Sequence, residues 1–396
     1  MRYIRPHATT SRATASRAAV PRATPGGPRR TAPPDVPAQR YACEADVSEG
    51  LEVVAAEEIQ ARLSKTAHIT TPALTGLAGV VRFTVDGDLH PLLKLQTVQS
   101  ICLLEPFAIA RPKALLGDEH FRKVLAMIEA ARGLYPAGTF KTLHLNAAGS
   151  DSSVMTRLKQ ELSQRTRLSI SEGEGDLLIR IRPSPTPSPY QGEGRGEGGS
   201  WDVLVRLSPR PLATRAWRAC NFEGALNAAV AHAMVRLTQP KSGDTFLNIA
   251  CGSGTLLIER LSAGAARLVI GCDLDPQALA CASQNVTAGA ARGAILLQQA
   301  DARRLPLANG AVTALTADLP FGHLVGSHAE NVRTYPLILQ EAARVACHRA
   351  HFVLITHELR LMEQLLASMS DIWHVEQVLR VELGGLTPRI FVLRRH

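Results

Sequence analysis

Asp318-Leu319-Pro320-Phe321 is the stretch whose residue types could do chemistry. An exocyclic amine on a nucleobase is a poor nucleophile, because its lone pair is delocalised into the ring. A carboxylate and a backbone carbonyl that accept its two N–H bonds draw the nitrogen toward tetrahedral geometry. An aromatic face holds the base by stacking. Asp318, the Leu319 carbonyl and Phe321 are the groups for those roles, and Pro320 and Gly322 turn the chain after the acid. The chemistry this predicts is methyl transfer to a base amine. Asp, Pro and Gly are equally the residues of an ordinary turn, so the surrounding elements have to decide between the two.

Residues 311–317 form an apolar run that reads as a buried strand. It delivers Asp318 to the carboxyl end of a parallel sheet, the edge where open α/β sheets bind ligands. Upstream, residues 244–249 predict a strand running into Ala250-Cys251-Gly252-Ser253-Gly254-Thr255, which opens a helix over 256–261. Glycines there let a ligand approach the backbone, and the helix start favours polar groups. A second strand, 268–272, ends at Asp273, about twenty residues past the glycine turn, the usual place for an acid on ribose hydroxyls. A third, 294–298, leads to Asp301-Ala302, suited to an adenine edge. A helix over 337–346 and a strand over 351–356 follow. Residues 375–381 and 389–393 read as an antiparallel pair around Gly384-Gly385, and a long helix over 222–237 precedes the whole set. Leu257 stands where G-x-G-x-x-G requires its third glycine, so a nicotinamide-dependent dehydrogenase is the weaker reading.

The N-terminal half has a different texture. Strands are predicted at 41–47 and 79–85 with an extended stretch at 101–110, and helices at 49–63 and 89–97. The pattern suits a small α+β domain. A second unit follows: a helix over 119–131 with Phe121, Val124, Leu125 and Ile128 on one face, a strand over 140–145, and a helix over 152–162 capped by Asp151. Strands at 177–181 and 201–207 are expected to be neighbours. Between them, residues 183–200 are Pro/Ser-rich and then Gly/Glu-rich, which reads as a flexible insertion. Arg210, Arg215 and Arg218 flank Trp217, either a linker or a contact to RNA.

Composition bounds the partners. The chain has 396 residues, a formal charge of +9 and seven cysteines. Residues 1–40 carry eight arginines against one acid, Asp35, so +7 of the +9 sits there and +2 is left for the rest. That segment lacks large apolar residues and reads as a disordered, solvated tail; a transit peptide and an RNA-binding tail are the other readings. The cysteines form no Cys-x-x-Cys pair, so neither a disulfide framework nor a zinc ribbon is expected, and a cytoplasmic setting is the simplest. Cys347, His348 and His351 lack the paired spacing of a zinc site. No apolar run reaches the ~18 residues of a membrane span.

The glycine turn, Asp273, Asp301 and Asp318-Leu319-Pro320-Phe321, in this order, resemble the class I S-adenosylmethionine-dependent methyltransferases. Cys251-Gly252-Ser253-Gly254-Thr255 with Leu257-Ile258-Glu259, and the D-L-P-F-G stretch, are similar to the THUMP-domain RNA guanine-N2 methyltransferases. Ala225-Leu226-Asn227 resembles that family's segment closing over the cofactor. The resemblance implies a seven-stranded Rossmann-like methyltransferase domain over 216–396. It also implies a ferredoxin-like domain over 41–110 and a THUMP domain over 111–215. S-adenosylmethionine would be held by Asn248, Ala250, Gly252, Gly254, Thr255, Asp273, Leu274, Asp301, Ala302 and Asp318. The implied substrate is guanosine in tRNA, with position six of the acceptor stem the first expectation. An rRNA guanosine, an adenine amine, and a non-catalytic RNA-binding protein are the alternatives. A monomer acting on neither DNA nor membrane is expected. Two departures stand out: Asn248-Ile249 replaces the family's usual Asp-Pro, and Leu319 replaces the first proline of its D/N-P-P-Y/F.

Overall fold

The computed structural model describes residues 39–63, 73–74, 77–185, 199–289, 295–319 and 327–396. The tail to residue 38, insertion residues 186–198, Ala294, Pro320, Phe321 and Gly322 lie outside them. Gln39–His396 forms one compact unit built on two sheets.

The first sheet comprises β1 (Arg40–Asp46), β2 (Ala73–Leu74), β3 (Val80–Asp86), β4 (Ser100–Phe107), β5 (Thr142–Ala147), β6 (Ser169–Ile170), β7 (Leu177–Pro183) and β8 (Trp201–Arg206). Helices α1 (Glu52–Leu63), α2 (Asp118–Arg132) and α3 (Ser153–Thr166) belong to the same half. The strand order is β2-β3-β1-β4-β8-β7-β5-β6. The two N-terminal units read from the sequence therefore share one sheet, joined where β4 pairs with β8 through Leu103↔Val205 and Leu104↔Leu204. The expected neighbours β7 and β8 are antiparallel, with Ile179 opposite Val205. Charge pairs also cross the join. Glu44 of β1, fully buried, accepts from Arg82 of β3 at 3.0 Å and from Arg182 of β7, and Arg82 reaches Asp202 of β8 at 2.9 Å. A buried carboxylate needs such partners, since an unpaired one costs several kcal/mol.

The second half contains α4 (Ala228–Leu237), β9 (Thr245–Ile249), α5 (Thr255–Ser262), β10 (Leu268–Asp273), α6 (Pro276–Ala288), β11 (Ile295–Gln299), β12 (Val312–Asp318), α7 (His328–Val345), β13 (Ala346–Thr356), α8 (Leu359–Ser368), β14 (Trp373–Arg380) and β15 (Arg389–Arg395). Its seven strands run β11-β10-β9-β12-β13-β15-β14. The first five are parallel, and β15 is antiparallel to β13 and β14. The central strands are buried on both faces, as apolar runs in parallel sheets are. Leu247, Ile249, Leu315 and Phe352 pack with Tyr335 and Trp373 on one side. Phe246, Val353 and Ile355 join a cluster on the other that continues into Cys43 and Leu51 of the first half.

Among the boundaries that differ from the sequence reading, three concern helix starts with a visible cause. The helix expected from residue 222 begins at Ala228, because the Asn227 side chain caps it, accepting from the Ala229 amide at 2.9 Å and the Val230 amide at 3.4 Å. Ser152, not Asp151, caps α3. The helix expected from 337 starts at His328 and runs through Pro336, with Ser327 as its cap. A proline usually marks a helix boundary, and here it hid two turns.

The two halves touch at a close approach. Gly50 has φ +94°, and a Cβ there would lie 1.7 Å from the Arg380 carbonyl oxygen at the end of β14. Only a residue without a side chain fits. Beside it, the Glu49 carbonyl accepts a hydrogen bond from the Glu382 amide at 3.1 Å.

Candidate active site

The glycine turn links β9 to α5. Gly252 and Gly254 have φ of +52° and +79°, and Gly254 packs so near α6 that a Cβ would meet the Ala282 side chain at 3.2 Å. The Gly252 amide donates to Asp273 Oδ2 at 2.8 Å, and the Asp275 amide to Asp273 Oδ1 at 3.0 Å. Asp273 thus orders the turn while its carboxylate faces a cavity of about 280 Å³. The cavity is walled by Phe222, Ala225 and Leu226 before α4, by Ala250, Gly252 and Thr255 of the turn, and by Asp273, Asp318 and Leu319. Leu274 beside it is a large apolar side chain left 61% exposed.

Asp318 ends β12. It is half-buried, and burial pushes its carboxyl up to about 7. The Leu319 amide continues the pairing with β13 by donating to the Ile355 carbonyl at 3.1 Å, which fixes the strand end. Asp318 also borders a second cavity of about 340 Å³, shared with Gln99, Asn227, His357, Glu382 and Leu386. One carboxylate therefore stands between two adjoining spaces.

Behind the first cavity lies a buried charge cluster. Glu259 of α5, fully buried, takes Arg215 Nε at 2.8 Å and His232 Nδ1 of α4 at 2.9 Å. Burial favours the neutral acid, yet the His232 hydrogen bond and the Arg215 charge outweigh it and lower the Glu259 carboxyl. Arg215 also donates to the Gln96 carbonyl of the first half at 2.8 Å. Arg218 lies over the Trp217 ring and donates to the Leu226 carbonyl at 3.0 Å. These two arginines are thus engaged within the fold. Cys220 is joined to Cys281 of α6 by a disulfide, contrary to the sequence expectation. Its backbone is held further by the Asn285 side chain at 2.8 and 3.1 Å. The spacing of 61 residues gave no sign that this loop returns to α6.

The structure brings Ala250, Gly252, Thr255, Asp273, Asp318 and Leu319 to one cavity wall. It does not bring Asn248 there. Asn248 is fully buried between β9 and β12, donating to the Ile249 and Thr316 carbonyls at 3.3 Å each. Asp301 and Ala302 stand off the wall, and Asp301 is paired with Arg303 at 2.6 Å. The Ala300 amide, however, donates to the Asp273 carbonyl at 2.9 Å and keeps that loop beside the site. Pro320 and Phe321 lie outside the described residues. Phe222 and Asp275 line the cavity without having been singled out. The apolar Phe222 read as helix continuing into α4, and Asp275, which also caps α6 by accepting from the Gln277 amide, drew no reading.

The family description UPF0020, RMKL-like, methyltransferase domain, matches residues 215–389. Among curated proteins, the mouse tRNA (guanine(6)-N(2))-methyltransferase THUMP3 is 29% identical over 183 residues, 43% of this chain and 36% of that protein. The tRNA (guanine(6)-N2)-methyltransferase of Thermus thermophilus is 30% identical over 192 residues, 48% of this chain and 56% of that one. The chain thus matches about a third to a half of the length of these relatives. The crystal structure of TrmN from Thermus thermophilus superposes with a TM-score of 0.69 at 24% identity, over 90% of this chain and 100% of that one. The likeness extends through both sheets and establishes the fold: a class I methyltransferase domain preceded by an α+β half.

Proposed function

Residues 215–389 being a methyltransferase domain of the UPF0020, RMKL-like kind, we propose that the chain transfers a methyl group from S-adenosylmethionine to the exocyclic N2 amine of a guanosine in tRNA, at position six of the acceptor stem. The observation that carries this is Asp318, which borders both cavities. The names of the mouse and Thermus relatives support the base, the atom and the position.

The residues present fit the cofactor. Asp273 offers a carboxylate to ribose hydroxyls, Leu274 an exposed apolar face to an adenine, and Gly252 and Ala250 a backbone open to close approach. Asp301 would have to exchange Arg303 to read the adenine edge. Asn248 holds neighbouring strands together and is assigned no cofactor contact. Bound there, S-adenosylmethionine supplies an electrophilic methyl carbon.

The acceptor base takes the second cavity. Its amine reaches past Asp318 to the first cavity, where Asp318 and the Leu319 carbonyl accept its two hydrogens, and Asp318 takes the proton the amine loses. Its raised carboxyl suits that task, since a base works best with a pKa near the operating pH. Phe321, with Pro320, is assigned to stacking. A guanosine in a stem must first leave the helix, and the rest of the rate comes from positioning. The reading further takes the protein as a cytoplasmic monomer acting on RNA and not on DNA; the tRNA named for the mouse and Thermus relatives supports the RNA part. No helix among the described residues is long and apolar enough to cross a membrane.

The test is incubation with labelled S-adenosylmethionine and unmodified tRNA, followed by mass spectrometry of nucleosides, with Asp318→Ala in parallel. N2-methylguanosine that disappears in the variant is expected. Product with rRNA alone would replace the substrate, and no product with any RNA would overturn the reading.

A further inference from the structure

The second cavity contains a carboxylate that the reaction above leaves unused. Glu382 lines it together with Asp318, and its exposed side chain makes no hydrogen bond or ion pair among the described residues. Its backbone, by contrast, is pinned on every side. The Glu382 amide donates to the Glu49 carbonyl of the first half at 3.1 Å. The Val381 amide donates to the Pro388 carbonyl at 3.1 Å, and Leu383 and Leu386 exchange hydrogen bonds at 2.8 and 3.0 Å around a two-residue turn, Gly384-Gly385. Gly50 packs against the Arg380 carbonyl just before it. A carboxylate without such partners on so fixed a backbone, exposed at the wall of a cavity, is placed to read a ligand.

Resting on the reading of this cavity as the acceptor-base site, we infer that Glu382 is the specificity-determining residue that accepts the N1–H of guanine. A guanine with its N2 hydrogens on Asp318 and Leu319 presents N1–H on the adjoining edge. A carboxylate there gains a charge-assisted hydrogen bond, worth about 1.5–3 kcal/mol. A base with a lone pair at N1 would face it with like polarity and leave the carboxylate unpaired. Sites built around a hydrogen bond reject analogues lacking it far more strongly than apolar pockets reject a missing methylene. The same carboxylate therefore selects guanine and repels adenine, both an attraction and a repulsion.

The test compares two RNAs that differ at the methylated position: guanosine, and 2-aminopurine riboside, which keeps the 2-amine but has an acceptor at N1. The wild type should prefer guanosine by about 100-fold or more in kcat/KM. In Glu382→Ala the preference should shrink at least about tenfold through loss on guanosine. In Glu382→Gln, whose amide can donate to N1, 2-aminopurine should gain in absolute rate. Cofactor affinity should stay unchanged in both variants. Methylation of guanosine by the wild type with the same preference in all three proteins would overturn the role of Glu382 and leave the methyltransferase reading standing. Failure of the wild type to methylate either RNA would overturn both.

Discussion

The Gly252 amide and the Asp273 carboxylate meet at 2.8 Å, so the turn after β9 and the acid after β10 form one assembly. The acid therefore has two duties in the proposed site, shaping the turn and receiving the ribose. Asp273→Ala should weaken binding of S-adenosylmethionine or S-adenosylhomocysteine by about 10–100-fold, the worth of one to two hydrogen bonds to a charged group. Titration calorimetry reads this directly. An unchanged dissociation constant would place the cofactor elsewhere.

Asp318 gives a pH dependence. Its carboxyl is pushed up to about 7 by burial, and only the ionised form can take the amine's proton. Turnover should rise about tenfold per unit below that value and level off above it. Asp318→Asn should remove the rise and lower kcat by about 10²–10⁴-fold.

The same group leaves a mark on stability. An acid whose folded value lies above its unfolded one binds its proton more tightly when folded. Its contribution to stability therefore falls as pH rises from about 4 to about 7 and is constant beyond. Asp318→Asn should be more stable than the wild type at pH 8, with the advantage fading toward pH 4. Urea midpoints at the two pH values measure it; an advantage independent of pH would contradict the desolvated carboxyl.

Glu259 is fully buried between Arg215 and His232. Glu259→Gln leaves a buried guanidinium short of its counter-charge and should cost about 3–5 kcal/mol. Glu259→Gln combined with Arg215→Met should recover part of the loss. Denaturation midpoints of the two singles and the double form the cycle, and strict additivity would deny the coupling.

Asn227 caps α4 and ends the Phe222–Leu226 wall. Asn227→Ala should cost about 1 kcal/mol in stability and weaken cofactor binding, since the wall then lacks a fixed end. Asn227→Ser, which can still cap, should restore both.

Much of the second half was legible because its signals are local. The strands β9, β10, β12 and β13 are apolar runs, and Gly252, Asp273 and Asp318 stand where parallel strands end. What escaped depends on distant partners. Glu44 meets Arg182 across 138 residues, and the β4–β8 join that fuses two units into one sheet pairs Leu103 with Val205. Phe222, Ala225 and Leu226 face a cavity, which no helical period distinguishes from a core. Asn248 read as a ligand contact from its motif, whereas its register between Gly271 and Thr316 encloses it in the sheet. Glu382 carried no signal: its fixity comes from Glu49, more than 300 positions earlier.

The contact between Gly50 and the Arg380 carbonyl limits how such a chain can be rearranged. The second cavity draws Gln99 from one half and Glu382 from the other, and the Glu49-Gly50 turn sets where the latter stands. A chimaera that grafts a foreign N-terminal half onto residues 215–396 would inherit the first cavity whole and the second unfinished. Swapping specificity in this architecture therefore means transplanting the Glu49-Gly50 turn together with the hairpin it braces.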